Sequence, residues 1–138
     1  MRIFLDANIL FSAAKSDGAV RELLGLLAKA RHELWADGYV VEEARRNLAA
    51  KAPGSVAVLE TLLARMHLAG AVRADQELED QLPLPEKDRP VLAAAIHCGC
   101  EALVTGDSTH FGALYGRKIR GVAIHSPRSI AQALLGTP

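Results

Sequence analysis

The chain alternates between short runs of consecutive apolar residues and longer segments in which apolar residues recur every three or four positions. The short runs are typical of strands buried on both faces, and the longer segments of amphipathic helices. The first run, Ile3-Phe4-Leu5, ends directly in an acid, Asp6. Strands that alternate with helices predict an α/β fold with a mostly parallel sheet and helices on both of its faces.

The predicted elements follow one another without an internal repeat, a linker or a low-complexity segment, so residues 1–138 are predicted to form a single domain. The acidic stretch Asp75–Leu84 has no clear period, and we predict that it is a loop. The predicted strands are Ile3–Leu5, Leu34–Ala36, Ala71–Ala74, Ala102–Thr105 and Gly121–His125, and the predicted helices are Gly18–Arg31, Tyr39–Lys51, Val56–Ala69, Pro90–Cys98 and Pro127–Leu135.

Composition and charge narrow the classes of function. Half of the 138 residues are apolar, and 16 Lys and Arg balance 16 Asp and Glu. Since the net charge is zero, nucleic acid would have to bind through a local basic patch. No apolar run approaches the length that spans a membrane, and Asp6 and Asn8 interrupt the apolar start that a signal peptide would need. We therefore expect a cytoplasmic protein without a membrane partner.

Four acids stand at positions where a sheet and its helices could bring them together. Asp6 and Asp107 end two predicted strands, and ligands of open α/β sheets bind beyond the carboxyl ends of the strands. Glu43 lies nearer the apolar stripe of its helix than Glu42 does, so Glu43 is the one expected to face a cleft. Asp88 opens the helix that precedes the fourth predicted strand.

Each acid also has an ordinary structural interpretation. Asp6 and Asp88 could cap the helices that follow them, Glu43 could be a solvated helix charge, and Asp107 could be a turn residue. Four converging carboxylates would repel one another without a cation, and Mg²⁺ or Mn²⁺ prefers such oxygen ligands. Sites of this kind hydrolyse phosphodiesters.

The ordered set of motifs resembles the PIN domain, the metal-dependent ribonuclease fold found in many toxins of bacterial toxin–antitoxin systems, and among these the VapC-like ribonucleases. The resemblance covers nearly the whole chain. It is carried by Phe4-Leu5-Asp6-Ala7-Asn8-Ile9-Leu10, by Glu43-Ala44, by Asp88 with Val91-Leu92-Ala93-Ala94-Ala95, and by Leu103-Val104-Thr105-Gly106-Asp107 with His110-Phe111 after it.

This resemblance implies a three-layer α/β/α fold whose five-stranded sheet has the order 3-2-1-4-5, so that the first and fourth strands are neighbours. It further implies an antitoxin as partner and a homodimer, which the wide apolar stripe of the third predicted helix also favours. The implied Mg²⁺ or Mn²⁺ ligands and catalytic residues are Asp6, Glu43, Asp88 and Asp107, and the implied supporting polar residues are Asn8, Ser12 and Thr105.

The leading hypothesis is therefore a Mg²⁺- or Mn²⁺-dependent ribonuclease, the toxin of a toxin–antitoxin pair, with Arg45 and Arg46 as candidate RNA contacts beside Glu43. An aspartyl-phosphate phosphatase would also place an acid after the first strand, but it needs a second acid where this chain has Asn8. The alternative that stays open is a non-catalytic module on the same fold that binds RNA or protein.

Overall fold

The computed structural model describes residues 1–70 and 76–136, and within these ranges the chain forms six strands and eight α-helices. The strands are β1 (Arg2–Leu5), β2 (Glu33–Asp37), β3 (His67–Ala69), β4 (Ala102–Val104), β5 (Lys118–Ile119) and β6 (Val122–His125). The helices are α1 (Ala7–Lys15), α2 (Ala19–Lys29), α3 (Gly38–Lys51), α4 (Val56–Leu63), α5 (Gln76–Asp80), α6 (Arg89–His97), α7 (Ser108–Phe111) and α8 (Pro127–Leu135).

The strands form one sheet in the order β3-β2-β1-β4-β6-β5, in which only the pair β5–β6 is antiparallel among the described strands. Ile3, Phe4 and Leu5 of β1 are fully buried at its centre, because helices cover both faces of a parallel sheet. This confirms the predicted α/β fold and the adjacency of the first and fourth strands. The prediction of five strands is corrected to six, since the two-residue β5 is too short to show a period in sequence.

The helices form two layers. Helix α1 contacts α2, α3 and α4, and α3 also contacts α4, so these four helices form one layer. The chain then returns from β3 at the edge to β4 in the middle of the sheet, and α6 lies in this crossover. The chain moves from β1 through β2 to β3 in one direction across the sheet, and from β3 to β4 in the other direction. Because crossovers between parallel strands are right-handed, a crossover in the other direction places its helix, α6, on the opposite face of the sheet. In the described part of the chain, the helices are all too short or too polar to cross a membrane.

The structure also corrects the prediction for the stretch that follows the second helix. The helix predicted over Val56–Ala69 ends at Leu63, and His67–Ala69 instead form β3, which pairs in parallel with β2. Pairing with a neighbouring strand here outweighs local helix propensity. The third strand predicted at Ala71–Ala74 lies outside the described residues.

Three of the helices, α1, α5 and the four-residue α7, were not predicted, because they are short or directly follow a strand. Within the stretch predicted as a loop, Gln76–Asp80 form α5, and the side chains of its first and last residues are hydrogen bonded at 2.9 Å. Helix α1 begins immediately after Asp6 and buries Ile9 and Leu10. Only Asp6 separates α1 from β1, so the sequence contains no loop that would mark the change from strand to helix.

Candidate active site

The four predicted acids lie around one cleft of about 220 Å³ at the carboxyl edge of the sheet. Asp6 follows β1 and Asp107 follows β4, and these neighbouring parallel strands end at the same edge. Glu43 comes from α3, and Asp88 from the turn that leads into α6. Four separate elements therefore supply the acidic lining.

The carboxylate of Asp6 is held by three hydrogen-bond donors. Its Oδ1 accepts from the backbone N–H of Ala7 at 2.7 Å, and its Oδ2 accepts from the Thr105 hydroxyl at 2.8 Å and the Asn8 amide at 3.3 Å. Asp6 is also the N-cap of α1, so the capping interpretation and the cleft position both hold. With only 5% of its surface exposed, Asp6 has little freedom to move.

Asn8 and Thr105 connect the segments that follow β1 and β4. The Oδ1 atom of Asn8 accepts from the backbone N–H of Gly106 at 2.8 Å, and the Thr105 Oγ1 accepts from that of Asp107 at 3.1 Å. The hydroxyl of Tyr115 donates to the backbone carbonyl of Thr105 at 2.7 Å. These bonds fix the distance between the two acids that the strands bring together.

A histidine lies between the other two acids of this edge. His110 Nδ1 is 2.8 Å from Oδ2 of Asp88 and 2.8 Å from Oδ2 of Asp107. Neither contact has hydrogen-bond geometry, so His110 Nδ1 and Asp88 Oδ2 are buried without a hydrogen-bond partner in the described structure. Donor atoms of all three residues lie within 4.8 Å of one another, a spacing that one cation could bridge.

Burial and nearby negative charges raise the pKa of two of the acids, Asp6 and Asp88. Burial raises the pKa of Asp6 from 3.8 to about 6; the bonds from Thr105 and Ala7 oppose the rise, and the charges of Glu43 and Asp88 add to it. Burial also raises the pKa of Asp88, while His110 opposes the rise. A divalent cation would relieve this strain on the ionised forms.

Helix α3 turns Glu43 towards the cleft and Glu42 towards solvent, as the helical phase predicts. The two arginines that follow are both exposed and neither lines the cleft. The guanidinium of Arg45 instead pairs with Glu60 of α4 at 2.7 Å. The role of Arg45 and Arg46 in RNA binding stays a prediction.

Several lining residues were missed by sequence reasoning. Asn47 and Lys51 follow Glu43 at four and eight positions, so helical periodicity from the acid would have found them. Phe11 and Lys87 also line the cleft. His110 lies one turn after Asp107, and the sequence analysis included it in a motif but assigned it no function. Ser12, predicted as a supporting residue, is exposed on α1 and does not line the cleft.

Tyr39, at the start of α3, contacts the segment that carries Asp88. Its hydroxyl donates to the backbone carbonyl of Lys87 at 3.0 Å. Burial raises the pKa of Tyr39, and the nearby charges of Glu43 and Asp88 add to the rise. Tyr39 therefore ties the helix that carries one acid to the turn that carries another.

Comparison with known proteins assigns a family to this arrangement. Residues 2–109 match the family model described as PIN domain, whereas no curated protein matches the sequence. The fold is similar to a chain of VapBC2 from Rickettsia felis bound to a promoter DNA fragment, with 20% identity and a TM-score of 0.68 over 91% of this chain and 98% of that one.

Two other solved structures have the same fold. One is DNA-bound VapBC from Salmonella typhimurium, with 16% identity and a TM-score of 0.67 over 92% of this chain and 98% of that chain. The other is VapC20 from Mycobacterium tuberculosis, a toxin that cleaves the sarcin-ricin loop, with 13% identity and a TM-score of 0.58 over 80% and 93%. At these identities the likeness establishes the fold alone.

Proposed function

The chain belongs to the PIN-domain family, and on that premise we propose that it is an endoribonuclease that depends on Mg²⁺ or Mn²⁺. The observation that carries the proposal is the meeting of four carboxylates, from four separate elements, in one cleft. The likeness in fold to a toxin that cleaves the sarcin-ricin loop supports RNA as the substrate class.

Asp6, Glu43, Asp88 and Asp107 are the proposed ligands of the cation. The donor set fits because carboxylate oxygens suit Mg²⁺ and Mn²⁺, and because Asp88 Oδ2 is buried without a hydrogen-bond partner in the described structure. When bound, such a cation activates water for attack on phosphorus and stabilises the leaving oxygen.

The remaining polar residues position the acids. The donors on Thr105 and Asn8 hold Oδ2 of Asp6 in one orientation, and they favour its ionised form against the effect of burial. The ring of His110 lies between Asp88 and Asp107 and limits how closely these carboxylates can approach each other. Holding charged ligands in place in advance lowers the reorganisation needed during reaction.

The test compares Asp6→Asn with Glu42→Gln in the cleavage of labelled single-stranded RNA with Mg²⁺ or Mn²⁺. We expect Asp6→Asn, or EDTA added to the wild-type protein, to abolish cleavage, and the exposed Glu42→Gln to retain it. Cleavage that survives in EDTA would refute metal dependence. RNA binding without any cleavage by the wild-type protein would favour the non-catalytic module instead.

We further propose that the protein acts in the cytoplasm as the toxin of a toxin–antitoxin pair, bound by a cognate antitoxin. Likeness to chains of VapBC structures supports this assignment. Expression of the wild-type chain in a bacterial host should arrest growth, whereas Asp6→Asn should not. Normal growth with the folded wild-type protein present at high level would count against a toxin.

A further inference from the structure

Two rows of side chains run from the acids along the walls of the cleft and end in lysines. On α3, Glu43, Asn47 and Lys51 follow one another at intervals of four residues, and all three line the cleft. This interval keeps them on one face of the helix and places Lys51 about 12 Å from Glu43 along the axis.

Helix α1 carries the second row. Asn8 and Phe11 line the same cleft, and Lys15 follows one turn later, with its Nζ 5.6 Å from the centre of the Phe11 ring. The Nζ of Lys51 is 5.7 Å from the same ring, so the two rows converge at Phe11. Because α1 and α3 each follow a parallel strand and pack together, both rows lead away from the acids in one direction.

Phe11 differs from the other apolar residues of its helix. Ile9 and Leu10 are buried, whereas Phe11 packs against the core and remains partly exposed at the wall of the cleft. Nucleobases stack on aromatic rings of this kind, and lysines bind the phosphates of a single strand. Contacts between exposed ammonium groups and a ring are weaker than base stacking, so a base could displace the lysine heads towards phosphate.

We propose that Phe11, Lys15 and Lys51 form a subsite for one nucleotide of single-stranded RNA beside the phosphate that is cleaved. The base stacks on Phe11, and the two lysines bind its phosphate. This inference rests on the proposed function, because the acids fix where the reacting phosphate lies. Because the chain has no net charge, local groups of basic residues have to attract the strand, and these two lysines form one such group.

The test is fluorescence anisotropy with a short labelled single-stranded RNA and Mg²⁺, in an Asp6→Asn background that prevents cleavage. Phe11→Leu keeps apolar volume but removes the flat ring, and it should raise Kd about fivefold to tenfold without changing the dependence on salt. Phe11→Trp should restore binding. The double variant Lys15→Gln/Lys51→Gln should reduce the slope of log affinity against log salt by about 1.4.

Lys29→Gln is the matched control for Lys51→Gln, because it also removes one lysine charge from the last turn of a helix, at an exposed residue of α2 that does not line the cleft. Equal weakening by these two variants, or full binding by Phe11→Leu, would overturn the subsite. Circular dichroism melts check folding, and if Phe11→Leu does not fold, the exposed lysine variants decide.

The failure of this subsite is distinguishable from failure of the proposed function. Metal-dependent cleavage by the protein with Asp6 intact, together with unchanged anisotropy in the Phe11 and lysine variants, would refute the subsite alone. No cleavage of RNA by that protein would refute the nuclease, while the anisotropy series would still report whether a strand contacts Phe11.

Discussion

Removing the charge of Asp6 should stabilise the metal-free protein at alkaline pH. The pKa of Asp6 rises from 3.8 to about 6 because folding buries the carboxyl group. The folded state thus holds this proton more tightly than the unfolded state, so the free energy of unfolding falls as pH rises from 3.8 to about 6 and is level above that. The rise in the pKa of Asp6 from 3.8 to about 6 lowers the free energy of unfolding at pH 8 by about 3 kcal/mol.

Asp6→Asn is neutral at every pH and avoids this loss. Its single oxygen cannot accept from Ala7, Thr105 and Asn8 as two carboxylate oxygens do, which costs about 1–2 kcal/mol. We therefore expect a net gain of about 1–2 kcal/mol at pH 8, or about 3–6 °C in Tm. Between pH 8 and pH 5 the gain should shrink by about 1.5 kcal/mol, because the wild-type carboxyl becomes mostly protonated.

The assay is urea denaturation in EDTA at pH 5 and pH 8, with the wild-type protein, Asp6→Asn and the exposed Glu42→Gln as control. The decrease in the stability gain of Asp6→Asn from pH 8 to pH 5 does not depend on the cost of the lost hydrogen bonds, since that cost is present at both pH values. A difference between Asp6→Asn and wild type that is equal at the two pH values, or larger at pH 5, would refute the reasoning.

Three other predictions follow from the site and the fold. Glu43→Gln should reduce RNA cleavage about 100-fold or more and weaken Mn²⁺ binding measured by calorimetry, because a ligand is lost, whereas Glu42→Gln should stay within about twofold of wild type. Tyr39→Phe removes the hydrogen bond to the Lys87 carbonyl, so the position of the neighbouring Asp88 becomes less fixed and Mn²⁺ binding should weaken about twofold to tenfold. Unchanged affinity for Mn²⁺ would mean that contacts other than this bond hold the turn in place. Light scattering at tens of micromolar should give a dimer, and a monomer would contradict the inference from the apolar stripe of the third predicted helix.

Strand and helix patterns predicted most of the fold because burial on both faces leaves a strong signal. Ile3, Phe4 and Leu5 are apolar without interruption, and the structure buries all three completely. The misplaced elements are those whose state depends on a distant partner. His67–Ala69 form a strand through pairing with β2, and nothing local to that stretch shows that a neighbour is available.

The site residues that stand at the end of a strand could be predicted from the sequence. Asp6 and Asp107 stand at strand ends, and strand ends are visible in sequence. The residues that were missed, Phe11, Asn47 and Lys51, lie on helices and away from the strand ends, where an ordinary solvated residue gives the same pattern. They become meaningful only once α1 and α3 are seen to border one cleft.

The capping and cleft interpretations of the acids, which the sequence sets against each other, are compatible for two of them. Asp6 and Asp107 each accept a backbone hydrogen bond as the N-cap of a helix while they line the cleft. Asp88 also stands at a helix start, yet its side chain makes no capping bond and its Oδ2 has no hydrogen-bond partner in the described structure. A buried carboxylate oxygen whose contact with Nδ1 of His110 at 2.8 Å lacks hydrogen-bond geometry is unfavourable for stability alone. Asp88 is therefore the acid whose position argues most directly for a ligand in the cleft.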